Sequence, residues 1–120
     1  MTPAATILIV DDEPAIRRLL RGALDRAGYR ASEAGLAKEA LSVIDIEKPE
    51  TVLLDLGLPD RDGIELLPLL KSAGASVIVI SARDATEEKV ASLDLGADDY
   101  VTKPFHTGEV LARIRTGLRQ

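Results

Sequence analysis

Cysteine is absent from this sequence of 120 residues. Its absence excludes disulfide bonds, thiolate metal sites and thiol nucleophiles, and it is compatible with a reducing cytoplasm. Tryptophan is absent as well, and aromatic side chains are limited to two tyrosines and one phenylalanine. The chain therefore lacks an aromatic platform on which nucleic-acid bases could stack, and its core must be built from Val, Ile, Leu and Ala.

Positive charge is also in short supply, with 15 Lys and Arg residues against 20 Asp and Glu and a formal net charge of −5. A negative domain repels phosphate backbones, so we do not expect this segment by itself to bind DNA. The amino terminus, MTPAATILIV, has no basic region, and its apolar run is too short for a signal peptide or a membrane helix. The sequence therefore predicts a soluble cytoplasmic protein with no membrane contact, of a length that suits one domain.

Three short apolar runs rich in β-branched residues stand out in the sequence. They predict strands buried on both faces, at Ile7 to Val10, Val52 to Leu54 and Val77 to Ile80. Two more polar segments, Tyr29 to Glu33 and Asp99 to Lys103, suit strands at the edges of a sheet.

A helical period of apolar residues follows each of these strands. The five stripes begin at Ile16, Ala37, Ile64, Val90 and Val110, and the fourth contains Val90 and Leu93, with Ala91 as a further candidate. The third contains Pro68, and because a proline inside a helix costs about 3 kcal/mol, we expect that helix to begin late or to kink. Five alternations of strand and helix predict an α/β fold, a single doubly wound parallel (βα)5 sheet. The most apolar strands should be central, which predicts the strand order 2-1-3-4-5.

Acidic residues follow the first and third predicted strands. Asp11, Asp12 and Glu13 come directly after the first, and Asp55 comes after the third. The predicted order places these strands side by side at its switch point, so their carboxylates should meet at the carboxyl edge of the sheet, where ligands bind. Like charges about 4 Å apart repel by roughly 4 kcal/mol at an effective dielectric of 20, so the cluster predicts a cation. Its few oxygen ligands favour Mg²⁺, although any one acid alone could equally cap a helix or begin a turn.

Ser81 and Lys103 follow the fourth and fifth predicted strands, at the same edge of the sheet. A hydroxyl and an ammonium opposite carboxylates and a cation form a cradle suited to a phosphoryl group. Taken singly, each would more often be a serine that caps a turn or a solvated lysine. The one histidine, His106, lies beyond the fifth strand, and we expect it to be solvated.

Several motifs together resemble the receiver domain of two-component response regulators over essentially the whole chain. They are DDE after the first strand, an Asp ending the third, SA after the fourth and KPF after the fifth, with LGLPDRDG and GADDYVTKPF around them. The resemblance implies a flavodoxin-like fold. It also implies that Asp55 accepts a phosphoryl group from the phosphohistidine of a sensor histidine kinase or from a small phosphodonor. The implied Mg²⁺ ligands are Asp11, Asp12, Asp55 and the backbone carbonyl of Gly57.

The same resemblance assigns roles around the phosphoryl group. Lys103 would pair with one phosphoryl oxygen, and Ser81 would move to hydrogen-bond another. Tyr100 occupies the position of the switch aromatic, whose ring would turn inward as Ser81 moves. The Lys103-Pro104 peptide bond would be cis. Phosphorylation would then shift the face formed by the fourth helix, fifth strand and fifth helix, and Gly57 and Arg83 lie at positions that tune the lifetime of the phosphoryl group.

Within the family, LGLPD and GADDYVTKPF most resemble regulators of the OmpR/PhoB type, and DLGLPDRDGIE resembles the regulators of Kdp potassium uptake. Such regulators carry a winged-helix DNA-binding domain after the receiver. The chain stops at Gln120. We therefore expect residues 1–120 to be the receiver alone, with DNA contacted only through a C-terminal domain that this sequence does not include.

The subfamily dimerises through charge pairs on the face formed by the fourth helix, fifth strand and fifth helix. The residues that match this face are Lys89, Asp98, Asp99, Glu109 and Arg113. The resemblance pairs Lys89 with Glu109, and it pairs Asp99 with Arg113, in each case across a two-fold axis. The arginine that usually partners Asp98 is replaced by Gln120. Alternatively, Glu109 and Arg113 pair within one helix at i and i+4, which is worth about 0.3–0.5 kcal/mol.

Other functions fit the residues less well. A haloacid-dehalogenase-type phosphatase needs a second carboxylate two residues after the nucleophile, where this chain has Gly57. An FMN binder needs a phosphate loop after the first strand, where this chain has three acids. A phosphorylation-independent pseudo-receiver is disfavoured because every acceptor-site position is filled. The alternative that stays open is a stand-alone receiver that signals by binding a protein partner.

Overall fold

The computed structural model describes residues 4–82 and 86–119. In chain order, the strands and helices are β1 (Thr6–Val10), α1 (Pro14–Arg26), β2 (Arg30–Ala34), α2 (Ala37–Glu47), β3 (Thr51–Leu54), α3 (Leu67–Ser72), β4 (Ser76–Ser81), α4 (Thr86–Asp94), β5 (Asp99–Thr102) and α5 (Thr107–Leu118). Arg83 and Gln120, which the sequence analysis names, lie outside the described residues. No helix in the described part of the chain is both long and apolar enough to span a membrane.

The strands form one parallel sheet in the order β2-β1-β3-β4-β5, which confirms the predicted fold and strand order. Every residue of β3 is buried, as its continuous apolar sequence predicts for a central strand. Alternate side chains of β1, β3 and β4 point to opposite faces, so the core consists of two layers. One layer contains residues of α1 and α5, and the other contains residues of α2 and α3.

Proline and glycine mark the ends of several helices. Pro14 is in the first turn of α1, where its missing N–H is not needed, and Gly28 follows the helix with φ +89. Pro68 is in the first turn of α3, after a short 3₁₀ turn at Gly63–Leu66. The third helix therefore begins late, as expected from the position of its proline.

The inward face of α4 differs from the prediction. In the predicted apolar stripe, Val90 and Leu93 are 49% and 42% exposed and Ala91 is half-buried, and the buried residue of the helix is Ser92. Two apolar residues three positions apart lie on one side of a helix, but they do not show that this side faces the core. The packing of α4 beside β5 turns Ser92 inward instead.

Candidate functional site

Three acidic side chains converge at the carboxyl edge of the sheet. Asp11 and Asp12 follow β1 and Asp55 follows β3, and Val10 lies opposite Leu54 in the register of these adjacent strands. One carboxylate oxygen from each acid lies within 4.8 Å of the other two. Asp11 and Asp55 are 3% and 7% exposed, whereas Asp12 is open to solvent. This set of oxygen donors, buried on one side and wet on the other, fits a hard cation such as Mg²⁺.

Asp11 is held by bonds to its side chain and to both of its backbone polar groups. Its amide donates to the carbonyl of Ala34 at 3.0 Å, and its carbonyl accepts from Arg17 Nη1 at 2.7 Å. Its Oδ1 accepts from the amide of Glu13 at 2.9 Å, and its Oδ2 accepts from Lys103 Nζ at 2.8 Å. The Asp11 carboxylate therefore has a fixed direction. Glu13 is the N-cap residue of α1, and its own side chain makes no capping hydrogen bond.

Lys103 brings a positive charge into this acidic cluster. Its Nζ lies 2.8 Å from Asp11, 3.5 Å from Asp55 and 3.6 Å from Glu13. Burial works to lower the pKa of the Lys103 ammonium, but its hydrogen bond to Asp11 and the three nearby carboxylates outweigh burial and raise that pKa. The ammonium is therefore charged at neutral pH, and it partly neutralises the acids.

The Asp55 carboxyl has a raised pKa, so its ionised form is disfavoured in the folded protein. Burial is the main cause that raises its pKa, and the charges of Asp11 and Asp12 raise it further. The ammonium of Lys103 and a 3.3 Å hydrogen bond from the amide of Gly57 oppose this rise without cancelling it. The ionised Asp55 side chain consequently costs the folded protein stability, which a bound cation would restore.

Asp55→Asn should therefore stabilise the metal-free protein at neutral pH. A carboxyl whose folded pKa lies above its ordinary value of 3.8 makes stability fall as the pH rises from about 3.8 through the folded pKa. The variant lacks this loss, so in EDTA at pH 7 it should melt on the order of 2–4 °C higher than the wild type. The difference should vanish below pH 3.8, where Asp55 is protonated in both states. Thermal melting followed by circular dichroism at several pH values measures this, and equal melting temperatures at pH 7 would contradict it.

Ser81 and Tyr100 occupy the positions that the motifs predict. Ser81 is the last residue of β4 and is buried, and its carbonyl accepts from the amide of Lys103 at 2.9 Å. Tyr100 lies on β5 opposite Val79 and is 6% exposed, with its ring in the core. The Lys103-Pro104 bond is cis, which confirms that expectation, and His106 is exposed.

Among the charged residues assigned to a dimer face, Asp98, Asp99, Glu109 and Arg113 have partners within this chain. Arg113 Nη1 lies 2.7 Å from Asp99, and Nη2 lies 3.8 Å from Glu109, so the pairing at i and i+4 is present. Asp98 accepts hydrogen bonds from Lys71 Nζ and from the amide of Val77, both at 2.7 Å. These bonds outweigh the effect of burial and lower the pKa of Asp98. Lys89, the remaining residue of this face, is exposed on α4.

Several residues that support the site were missed by the sequence analysis. Asp60 accepts from the amides of Ala37 at 2.8 Å and Lys38 at 3.0 Å, so the segment after Asp55 is tied to the start of α2. These two amides also lower the pKa of the Asp60 carboxyl. Arg17, which bonds to the carbonyl of Asp11, was missed as well. Neither residue lies in a recognisable local motif. The amides that Asp60 binds are 23 and 22 positions away, and Arg17 reaches the Asp11 carbonyl through the packing of α1 beside β1.

Comparison with known proteins agrees with this geometry. Residues 7–115 match the family described as the response regulator receiver domain. The chain belongs to this family. Receiver domains belong to two-component signalling, so the family match confirms the resemblance carried by the DDE, LGLPDRDG and KPF motifs.

Relatives of this receiver domain include transcriptional regulators. The KDP operon transcriptional regulatory protein KdpE of Escherichia coli K12 is 50% identical over 115 residues, which cover 95% of this chain and 51% of KdpE. The Response regulator MprA of Mycolicibacterium vanbaalenii is 45% identical over 116 residues, covering 95% of this chain and 50% of MprA. The chain thus spans about half the length of the curated relatives it matches. The relationship to KdpE confirms the resemblance of DLGLPDRDGIE to Kdp regulators.

A solved receiver domain has the same fold. The BeF3-activated N-terminal receiver domain of Klebsiella pneumoniae RstA superimposes with a TM-score of 0.89 at 32% identity. The match covers 96% of this chain and 99% of that one. A BeF3 group was therefore used to activate a close structural relative of this domain.

Proposed function

We propose that this receiver domain is a phosphorylation-activated switch whose phosphoacceptor is Asp55. The observation that carries the proposal is the position of the Asp55 carboxylate. Asp55 directly follows the central strand β3, and its carboxylate lies beside Asp11, Asp12 and the ammonium of Lys103. Lys103 Nζ lies 2.8 Å from Asp11 and 3.5 Å from Asp55, so Asp55 borders both the acids that would hold a cation and the ammonium. A phosphoryl group on Asp55 would therefore have positive charge available from a bound cation and from Lys103.

The proposed reaction moves a phosphoryl group from a phosphohistidine of a sensor histidine kinase to Asp55. A carboxylate oxygen of Asp55 attacks phosphorus, the P–N bond to the imidazole breaks, and its electron pair stays on the histidine nitrogen. The product is an acyl phosphate on Asp55. A small phosphodonor such as acetyl phosphate supplies the group in the same way, with a P–O bond breaking instead.

The chain's own residues orient and neutralise the reacting groups. Asp11, Asp12, Asp55 and the carbonyl of Gly57 would hold Mg²⁺, which when bound supplies charge neutralisation for the phosphoryl oxygens. Lys103 would donate a hydrogen bond to a phosphoryl oxygen, because phosphorylation adds negative charge at Asp55. Ser81, at the end of the neighbouring strand, offers its hydroxyl to another oxygen. Positioning and electrostatics therefore supply most of the catalysis.

Phosphorylation would act on the face formed by α4, β5 and α5. It adds roughly one negative charge and new acceptor oxygens at Asp55. Movement of Ser81 toward these oxygens would leave space for the ring of Tyr100 to pack further inward. The weakly apolar packing of α4, with Ser92 as its buried residue, suits an element that can change position.

Intact-mass measurement tests the proposed reaction. After incubation with acetyl phosphate and Mg²⁺, we expect the mass to rise by one phosphoryl group per chain. Omission of Mg²⁺ should prevent the rise. An unchanged mass, under conditions in which a receiver of known activity is phosphorylated, would overturn the proposal.

The proposed output is a homodimer formed through the α4-β5-α5 face, which would place the DNA-binding domains of a longer regulator side by side. The alternative is a receiver that signals by binding a protein partner. The charged surface at Asp99, Glu109 and Arg113 favours the dimer, because the same side chains can exchange partners across a two-fold axis.

Arg113→Ala should weaken dimerisation by the activated domain about tenfold or more, because it removes the guanidinium that would pair with Asp99 of the second copy, as it does with Asp99 within one chain. Sedimentation equilibrium with beryllofluoride and Mg²⁺, at several protein concentrations, measures the dissociation constant. Arg115→Ala is the matched control, since it removes the same charge two residues away on an exposed part of α5. A wild-type domain that stays monomeric with beryllofluoride bound would instead favour the stand-alone receiver.

A further inference from the structure

Arg17 on α1 connects the end of β2 to the backbone of the acidic cluster. Its Nη1 donates to the carbonyl oxygen of Asp11 at 2.7 Å, and its Nε donates to Glu33 Oε1 at 3.2 Å. Arg21, one turn further along α1, pairs with the other carboxylate oxygen of Glu33. The side chains of Arg17 and Glu33 are 22% and 30% exposed, so water screens this network only in part.

The carbonyl that Arg17 contacts belongs to the peptide between Asp11 and Asp12. Because a peptide unit is planar, the direction of this carbonyl determines where the chain places the Cα atom of Asp12. The amide of Asp11 is already fixed by the carbonyl of Ala34. The bond from Arg17 therefore fixes the next peptide plane, which leads to the one solvent-exposed carboxylate of the cluster.

The absence of a side chain at Gly35 leaves room for the guanidinium of Arg17. A Cβ atom at Gly35 would lie 3.1 Å from Arg17 Nη1, which is closer than most side chains tolerate. Gly35 follows β2 and donates its amide to Glu39, so the backbone passes close to the guanidinium. Glu33, which Arg17 shares with Arg21, places a carboxylate next to the Arg17 guanidinium that bonds to the carbonyl.

We propose that Arg17 is a positioning residue for the metal site: it orients the Asp11–Asp12 peptide so that the Asp12 carboxylate joins those of Asp11 and Asp55. The proposal rests on the proposed function, since it concerns Mg²⁺ at that same cluster. Arg17 does not touch the cation or the phosphoryl group in this role. It acts through the backbone of the residues that do.

Arg17→Ala should weaken Mg²⁺ binding about tenfold, the lower end of the range for residues that orient metal ligands. Isothermal titration calorimetry of the phosphate-free domain with Mg²⁺ alone measures this. Arg21→Ala is the matched control, because it removes the same charge and a contact to the same Glu33 but leaves the Asp11 carbonyl bonded. Its affinity should stay within twofold of the wild type. Arg17→Lys keeps a donor within reach and should restore part of the affinity.

A second measurement uses the metal-free domain. The NMR shifts of the Asp11 carbonyl carbon and the Asp12 amide nitrogen should change in Arg17→Ala but not in Arg21→Ala. Thermal melting verifies that each variant is folded, and Arg17→Gln replaces Arg17→Ala if the latter does not fold.

Two results would overturn the inference alone: unchanged Mg²⁺ affinity in Arg17→Ala, or an equal loss in Arg17→Ala and Arg21→Ala. The failure of the proposed function looks different, because the wild-type domain itself would then not bind Mg²⁺.

Discussion

Asp55→Asn should abolish the gain of a phosphoryl group from acetyl phosphate. The amide of asparagine carries no negative charge and is a poor nucleophile, so no acyl phosphate forms at this position. Asp11 is not expected to replace it, because Asp11 already bonds to Lys103 and to the amide of Glu13. Intact-mass spectrometry with Mg²⁺ present should show complete loss of the added mass, not a slower reaction.

The control for this experiment is Asp45→Asn. Asp45 is an exposed aspartate on α2, and it does not belong to the acidic cluster of Asp11, Asp12 and Asp55. This variant should gain one phosphoryl group as the wild type does. Continued phosphorylation of Asp55→Asn would place the acceptor on another residue, and the thermal melt described above shows whether that variant is folded.

Gly63→Ala should destabilise the domain by about 3 kcal/mol, near the upper end of the usual cost of overpacking. A Cβ atom at this position would lie 2.6 Å from the carbonyl oxygen of Asp55 and 2.7 Å from the Cα atom of Leu56. Both contacts are with backbone, so no side chain can turn away to relieve them. The segment that carries Asp55 would have to move, and the hydrogen bond from the Gly63 amide to the Leu56 carbonyl, at 2.8 Å, would be strained.

Urea unfolding measures this loss, and the phosphorylation rate of the variant should fall as well. Gly108→Ala is the matched control, since a Cβ atom there meets nothing within 4 Å and the residue lies in the first turn of α5. Alanine has the higher helix propensity, so that variant should be as stable as the wild type or more stable by up to about 1 kcal/mol. Equal urea midpoints for Gly63→Ala and the wild type would contradict the predicted clash.

Local sequence was sufficient for much of the site, because its main residues sit at strand ends. The short length and β-branched residues of an apolar run such as Ile7 to Val10 favour a strand buried on both faces, which places the polar residues that follow it at the sheet edge. Strand order then brings Asp11 and Asp12 close to Asp55. Residues that directly follow neighbouring parallel strands therefore lie close together at one edge of the sheet.

The residues that support the site could not be found in the same way. Arg17 and Glu33 are separated by 16 positions, and Lys71 and Asp98 by 27. A charged residue on a helix has many possible partners until the helix is packed, and a surface arginine or lysine carries no local pattern that selects one. The inward turn of Ser92 was hidden for the same reason, since the sequence of α4 is compatible with more than one buried face.

The sequence by itself determined the family, the sheet, the acidic cluster and the position of Asp55, because strand periodicity and the residues at strand ends are local properties. Only the tertiary structure decided which partners hold those residues: Arg17 on the carbonyl of Asp11, Asp60 on α2, and the backbone of Asp55 against Gly63. The contact of Asp60 spans 23 positions, whereas the partners of Arg17 and Gly63 lie six and eight positions away. The geometry of these contacts depends on how the helices pack on the sheet, and no local pattern of residues encodes it.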